Sequence, residues 1–398
     1  MNLKRISQML YLLFLLILIN SGCKKEDELV KSRGQLVSHR YLAKYKASDI
    51  TTYATLANVT YNPIETFDVS IEKIVYNTID YNGNIVTATG AIFIPDTDDQ
   101  IPVTSFYHGT QTNKSEVVSN RGIFVSEGMV GLLLAGMGFL AVIPDYTGLG
   151  ESNMLHPYLI SDLSAAANID MLLAAKQYCT ENNINITNNL YIGGYSEGGY
   201  ITLVTQAEIE KNYASQFTLK ASAPMAGPSD LVFTTNQIFA ADSFLLPAGA
   251  AFMALSYNTK YKIAAIDDIF KAPYNAQIED LFNVSKSVSE IDNVLPLKIS
   301  ELFNSQFINT QFNNKSSQFW QAVSENTTLN FSPQAPILLV HGSIDEIVPY
   351  QNSVNAYNYF KSKGTEVTFE TIENGMHVNT GLPAINKMIN WFYQLKSE

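Results

Sequence analysis

Cysteine, histidine and positive charge are all scarce in this chain of 398 residues. Two cysteines rule out a disulfide scaffold and a paired CxxC zinc site. Lys and Arg number 25 against 37 Asp and Glu, a formal net charge of −12. Nucleic-acid binding needs clustered basic residues, so that class is excluded. Charged residues make up only 16% and hydrophobic residues 46%, a balance that excludes disorder and implies a sizeable buried core. There is no HExxH and no P-loop, and no metal or organic cofactor is implied.

The first residues stand apart from the rest. Lys4 and Arg5 precede the apolar run Met9–Ile19, which is too short for a membrane span and fits the core of a signal peptide. Ser21-Gly22-Cys23 follows, and small residues before a cysteine resemble a bacterial lipobox. That resemblance implies cleavage after Gly22 and lipid attachment at Cys23. The charged run Lys24–Glu28 resembles a surface-export signal of Gram-negative lipoproteins, which implies anchoring in the cell envelope, at the outer membrane. The plainer alternative is secretion with cleavage near Gly22. The expected organisation is a signal peptide over 1–22 and a tether with an N-terminal extension over 23–60.

Residues 67–79 and 85–94 are two β-rich runs separated by Asn82-Gly83, a strong hairpin signal. After Pro95 the period changes. Short apolar runs at 102–107, 139–144, 190–193, 219–224, 336–341 and 367–372 alternate with helical stretches such as 161–179, 198–211 and 350–363. A last helix is expected over 383–395, with Ile385, Met388, Ile389 and Phe392 on one face. An antiparallel hairpin followed by strand–helix units predicts an α/β fold, mostly parallel, with helices on both faces of the sheet. Residues 228–332 show helical patches and no clear strand. They are too many for a loop, so a helical cap is expected there, inserted between core segments 61–227 and 333–398.

Gly194-Tyr195-Ser196-Glu197-Gly198 lies between an apolar run and a helical stretch, the strand–turn–helix setting of a nucleophile elbow. Gly194 and Gly198 leave room for the tight turn that exposes Ser196. A serine nucleophile needs a base, and the base needs an orienting acid. Of the five histidines only His341 and His377 follow Ser196. For the order Ser, acid, His, the base is His377, and His341 is expected to be structural. The acid is expected on the loop after 336–341, where Asp345 is the choice and Glu346 the alternate. A developing oxyanion needs two N–H donors. One is expected from Glu197, whose side chain reads as a bystander at a helix start. The other is expected from Gly109 or Thr110 after His108, itself expected to be structural.

Together these residues resemble the α/β-hydrolase superfamily over about residues 65–398. Asp145-Tyr146-Thr147-Gly148-Leu149-Gly150-Glu151-Ser152 is similar to a loop of these enzymes. Gly194–Tyr200, that early loop and the helical insertion resemble secretory lipases in particular. The resemblance implies an ester-cleaving serine hydrolase acting through an acyl-enzyme on a small-molecule or lipid ester. The apolar cap stretches 239–246 and 250–255 either pack the cap onto the core or line an acyl pocket, and the expectation is a pocket that favours medium or long acyl esters over acetate. A prolyl-oligopeptidase-like peptidase is the second resemblance, though about forty residues between Cys23 and the first sheet strand leave no room for its propeller. A non-catalytic surface-binding lipoprotein is the third reading.

Overall fold

The computed structural model describes residues 32–397 except positions 242 and 284. The expected signal peptide and Cys23 lie outside the described residues. Among these residues a nine-stranded sheet runs in the order β1-β2-β3-β5-β4-β6-β7-β8-β9. Its strands are β1 (Leu36–Tyr45), β2 (Val69–Ile79), β3 (Ile85–Pro95), β4 (Ile101–Tyr107), β5 (Leu140–Pro144), β6 (Ile186–Tyr195), β7 (Thr218–Met225), β8 (Ile337–Gly342) and β9 (Val367–Ile372). The β1–β2, β2–β3 and β3–β5 pairs are antiparallel, and every later pair is parallel. The chain therefore has the mostly parallel α/β sheet with an antiparallel N-terminal part that its strand rhythm implies, arranged as the α/β-hydrolase resemblance leads one to expect.

The longer helices are α1 (Ala47–Leu56), α2 (Ser126–Gly136), α3 (Ser161–Glu181), α4 (Glu197–Glu208), α5 (Leu231–Ala240), α6 (Pro247–Tyr261), α7 (Gln318–Glu325), α8 (Gln351–Ser362) and α9 (His377–Ser397). Alternation along the strands divides them between two faces. In β5, Leu140 and Val142 join one core with α3 and α4, while Ala141 and Ile143 join another with α2 and α9. In β8, Leu338 and Val340 pack on α9, while Ile337 and Leu339 pack with Leu203 of α4 and Phe360 of α8. Both faces of β8 are buried, so the strand reads as a continuous apolar run.

Two expectations need correction. Residues 36–56 are not tether: β1 pairs with β2 along its length, with two register shifts, and α1 follows. The exposed and half-exposed side chains of β1 carry no clear alternation, as befits an edge strand with one open side. The last helix starts at His377 rather than Pro383, so the proline lies inside it. Between β7 and β8 the described residues hold helices and two isolated bridges, Ser243–Lys298 and Phe270–Phe303. No helix among the described residues is long and apolar enough to cross a membrane.

Candidate active site

The turn from β6 into α4 places Ser196 at φ 60° and ψ −121°, a strained conformation for a residue with a side chain. Two glycines permit it. A Cβ on Gly194 would meet the carbonyl of Gly198, and one on Gly198 would meet the carbonyl of Tyr107 in the neighbouring strand. The Ser196 N–H donates to the Met225 carbonyl at 3.0 Å, which ties the turn to the end of β7.

Three residues from three loops meet here. Ser196 Oγ lies 2.8 Å from His377 Nε2, and His377 Nδ1 lies 2.6 Å from Asp345 Oδ2. His377 is the first residue of α9 and is buried. Its backbone is held twice: the N–H donates to Glu346 at 3.0 Å, and the Tyr195 hydroxyl donates to its carbonyl at 2.6 Å. Glu346, the alternate acid, thus touches the histidine's backbone rather than its ring.

The Asp345 carboxylate has no solvent exposure. Oδ1 accepts from the Ile347 and Val348 N–H groups at 3.0 and 2.8 Å, so the loop curls back around it. Oδ2 serves both His377 and His341, whose Nε2 is 3.1 Å away. Burial alone would raise the carboxyl's pKa. The bonds from His341 and His377 outweigh it and hold the group well below the usual carboxylate range.

His341 is fully buried in this network. Its Nε2 also lies 2.9 Å from the Val348 carbonyl, and its Nδ1 lies 2.7 Å from Ser353 Oγ of α8. A carbonyl only accepts, so Nε2 carries a hydrogen and donates toward Asp345. Strand-end placement made His341 look merely structural; the structure puts it against the same carboxylate as His377.

Gly109 adjoins the serine: a Cβ there would sit 3.6 Å from Ser196 Cβ. His108 stacks on Tyr146, with its Nδ1 2.7 Å from the Gly109 carbonyl and its Nε2 3.3 Å from that of Asp145. The Tyr146 hydroxyl donates back to the His108 carbonyl at 2.9 Å. Among the described residues the N–H groups of Glu197, Gly109 and Thr110 donate to no protein acceptor. Of the three, Glu197 follows Ser196 in the chain and Gly109 adjoins it in space.

The Glu197 side chain is more than a bystander at a helix start. It is 2% exposed, with Oε1 2.7 Å from His156 Nε2. His156 lies 41 residues earlier on the loop between β5 and α3, and no local pattern marks the pairing. A narrow pocket of about 40 Å³ opens on Ser196 and Glu197. Its walls are mainly α5, α6 and their connection, including Leu231, Ile238, Phe244 and Met253. No cluster of His, Cys, Asp and Glu among the described residues is arranged to hold a metal ion.

The profile of the secretory lipase family matches residues 123–395. No curated protein sequence matches the chain. Among solved structures, the rice cell wall degrading esterase LipA from Xanthomonas oryzae superposes with a TM-score of 0.82 at 26% identity, covering 92% of this chain and 99% of that one. Lipase A of Candida antarctica in its closed state superposes with a TM-score of 0.70 at 14% identity, covering 92% and 83%, a likeness of fold. With a profile match over most of its length and the sheet, elbow and cap region described above, the chain belongs to the secretory lipase family and is a carboxylic ester hydrolase.

Proposed function

We propose that the chain cleaves esters through a Ser196–His377–Asp345 triad and an acyl-enzyme. Ser196 Oγ attacks the ester carbonyl while His377 Nε2 takes its proton. Asp345 holds the ring in the tautomer with hydrogen on Nδ1 and stabilises the imidazolium. The tetrahedral oxyanion is met by the Glu197 N–H and by that of Gly109 or Thr110. His377 then gives its proton to the departing alcohol. Water enters by the same route in reverse and frees the acid.

The observation that carries this reading is the unbroken chain of contacts from Ser196 Oγ through His377 to a buried, ionised Asp345. Labelling with a fluorophosphonate tests it, with modification expected at Ser196. Ser196→Ala should lower kcat on the order of 10⁶-fold while the protein stays folded. Wild-type turnover in that variant would end the proposal.

The acyl group belongs in the slot beside Ser196 between α5 and α6. The slot is narrow as it stands, with apolar walls from Leu231, Ile238, Phe244 and Met253. At about 0.8 kcal/mol per buried methylene, kcat/KM should rise roughly fourfold per carbon until the slot is full. A p-nitrophenyl ester series run beside aminoacyl amides reads this out. Activity falling steadily beyond acetyl, or faster amide cleavage, would point to a short-chain esterase or a peptidase. Acylation at Cys23 and attachment to the outer membrane belong to the same proposal.

A further inference from the structure

Glu197 supplies the N–H that would meet the oxyanion, yet its side chain brings a negative group to the same turn. That carboxylate is only a side chain's length from the donor, and the charge that develops in the reaction has the same sign. The pair it forms with His156 is almost wholly buried, with side-chain exposures of 1% and 2%. His156 is fixed on its other edge, where Nδ1 lies 2.8 Å from the Thr147 carbonyl. Since a carbonyl only accepts, Nδ1 carries a hydrogen. One further proton then lies between Nε2 and Oε1. Whichever atom holds it, ring and carboxylate sum to no net charge.

The surroundings make that cancellation matter. The His156 ring stacks on Tyr146 at 5.6 Å and packs on Phe252 of α6 at 5.8 Å. Glu197 Oε2 has no partner among the described residues. An unpaired charge in such a setting is weakly screened and acts strongly on its neighbours. The His156 loop also begins with Asp145 and Tyr146, which hold His108 and the Gly109 loop. His156 therefore ties the two donor segments to one scaffold.

We propose that His156 is a positioning residue of the oxyanion site: by pairing with Glu197 it cancels a charge that would oppose the oxyanion and fixes the donor peptide at the start of α4. The proposal rests on the reading of Ser196 as nucleophile and the Glu197 N–H as donor.

The test is a double-mutant cycle in mildly alkaline buffer, with active sites counted by fluorophosphonate labelling. His156→Leu should lower kcat about 10-fold to 100-fold, up to the 10²–10³ lost on removing an oxyanion donor outright. KM should move far less. The Ki of a trifluoromethyl ketone, which forms an oxyanion on Ser196, should weaken by the same factor as kcat. Adding Glu197→Gln removes the uncompensated charge, so the double variant should regain most of the lost kcat. If the double variant is as impaired as His156→Leu or worse, or if Ki fails to track kcat, charge compensation is wrong. If His156→Leu does not fold, His156→Gln, which can donate but carries no charge, replaces it with the same expectations. Failure of the wild type to label at Ser196 would instead remove the triad reading beneath the proposal.

Discussion

Asp345→Asn tests the proposed triad at its most constrained member. The carboxylate accepts four hydrogen bonds, two on each oxygen. An amide keeps one oxygen and turns the other into a donor. With the NH₂ in the Oδ1 place, it would face the N–H groups of Ile347 and Val348. Leaving two buried donors unsatisfied costs about 1–3 kcal/mol each. With the NH₂ in the Oδ2 place, His341 can still donate to the Val348 carbonyl, so that orientation should win. The amide then donates to His377 Nδ1, and the ring's hydrogen moves to Nε2, facing Ser196 Oγ. The base is lost although its position is kept. Comparable tautomer reversal in another Ser-His-Asp enzyme costs about 10⁴-fold in kcat, or about 5 kcal/mol of transition-state stabilisation. Steady-state hydrolysis of a p-nitrophenyl ester measures kcat, the fluorophosphonate labelling rate reports Ser196 nucleophilicity, and thermal unfolding checks the fold. Labelling should slow in parallel with kcat. A folded Asp345→Asn enzyme within tenfold of wild type would refute the tautomer argument and with it Asp345's role.

Three further outcomes are expected. His377→Ala should be as damaging as loss of Ser196, while His341→Ala should mainly lower stability, by about 1–3 kcal/mol in urea unfolding, for the buried bonds it abandons; a dead but folded His341 variant beside an active His377 variant would reverse the two roles. Asp345's pKa is lower folded than unfolded, so its pairing stabilises the fold above the ordinary carboxylate pKa near ~4, and that contribution is lost as pH falls through the folded value; acid unfolding of Asp345→Asn should therefore be shallower than that of wild type, and identical profiles would contradict the shift. Cys23→Ser should abolish incorporation of an acyl analogue in cells, because it removes the thiol at which lipid attachment is proposed, and Cys179, buried and with its thiol pushed up to about 12, should resist alkylation in the native protein.

The sheet was legible where burial was two-sided or alternation was clean. The strands from β2 to β8 coincide with the apolar runs to within a few residues, because each buries at least one face, and β9 coincides as well although its side chains are mostly half-buried. β1 was not legible. Its side chains lie mostly in solvent, and only its backbone pairing with β2 makes it a strand. The start of α9 was hidden for a different reason. Proline reads as a helix opener, yet Pro383 is tolerated inside a helix whose apolar face, Ala384, Met388, Ile389 and Phe392, is fully buried on the sheet.

At the site, chain order and the setting of the elbow were enough to select Ser196, Asp345 and His377, and the structure brings those three together. Residue type could not have selected them. His39, His156, His341 and His377 all lie within hydrogen-bond reach of a carboxylate. Contact with an acid therefore identifies no base in this protein; what separates His377 is that its ring alone reaches Ser196 Oγ among the described residues. The second tier was illegible because long-range folding creates it. His341 meets Asp345 only because the 342–348 loop curls back on its own N–H groups, and His156 meets Glu197 only because the loop after β5 crosses the start of α4. Gly-Tyr-Ser-Glu-Gly announces a serine, but the burial of the glutamate beside it is intelligible only with His156, whose Nε2 lies 2.7 Å from Glu197 Oε1.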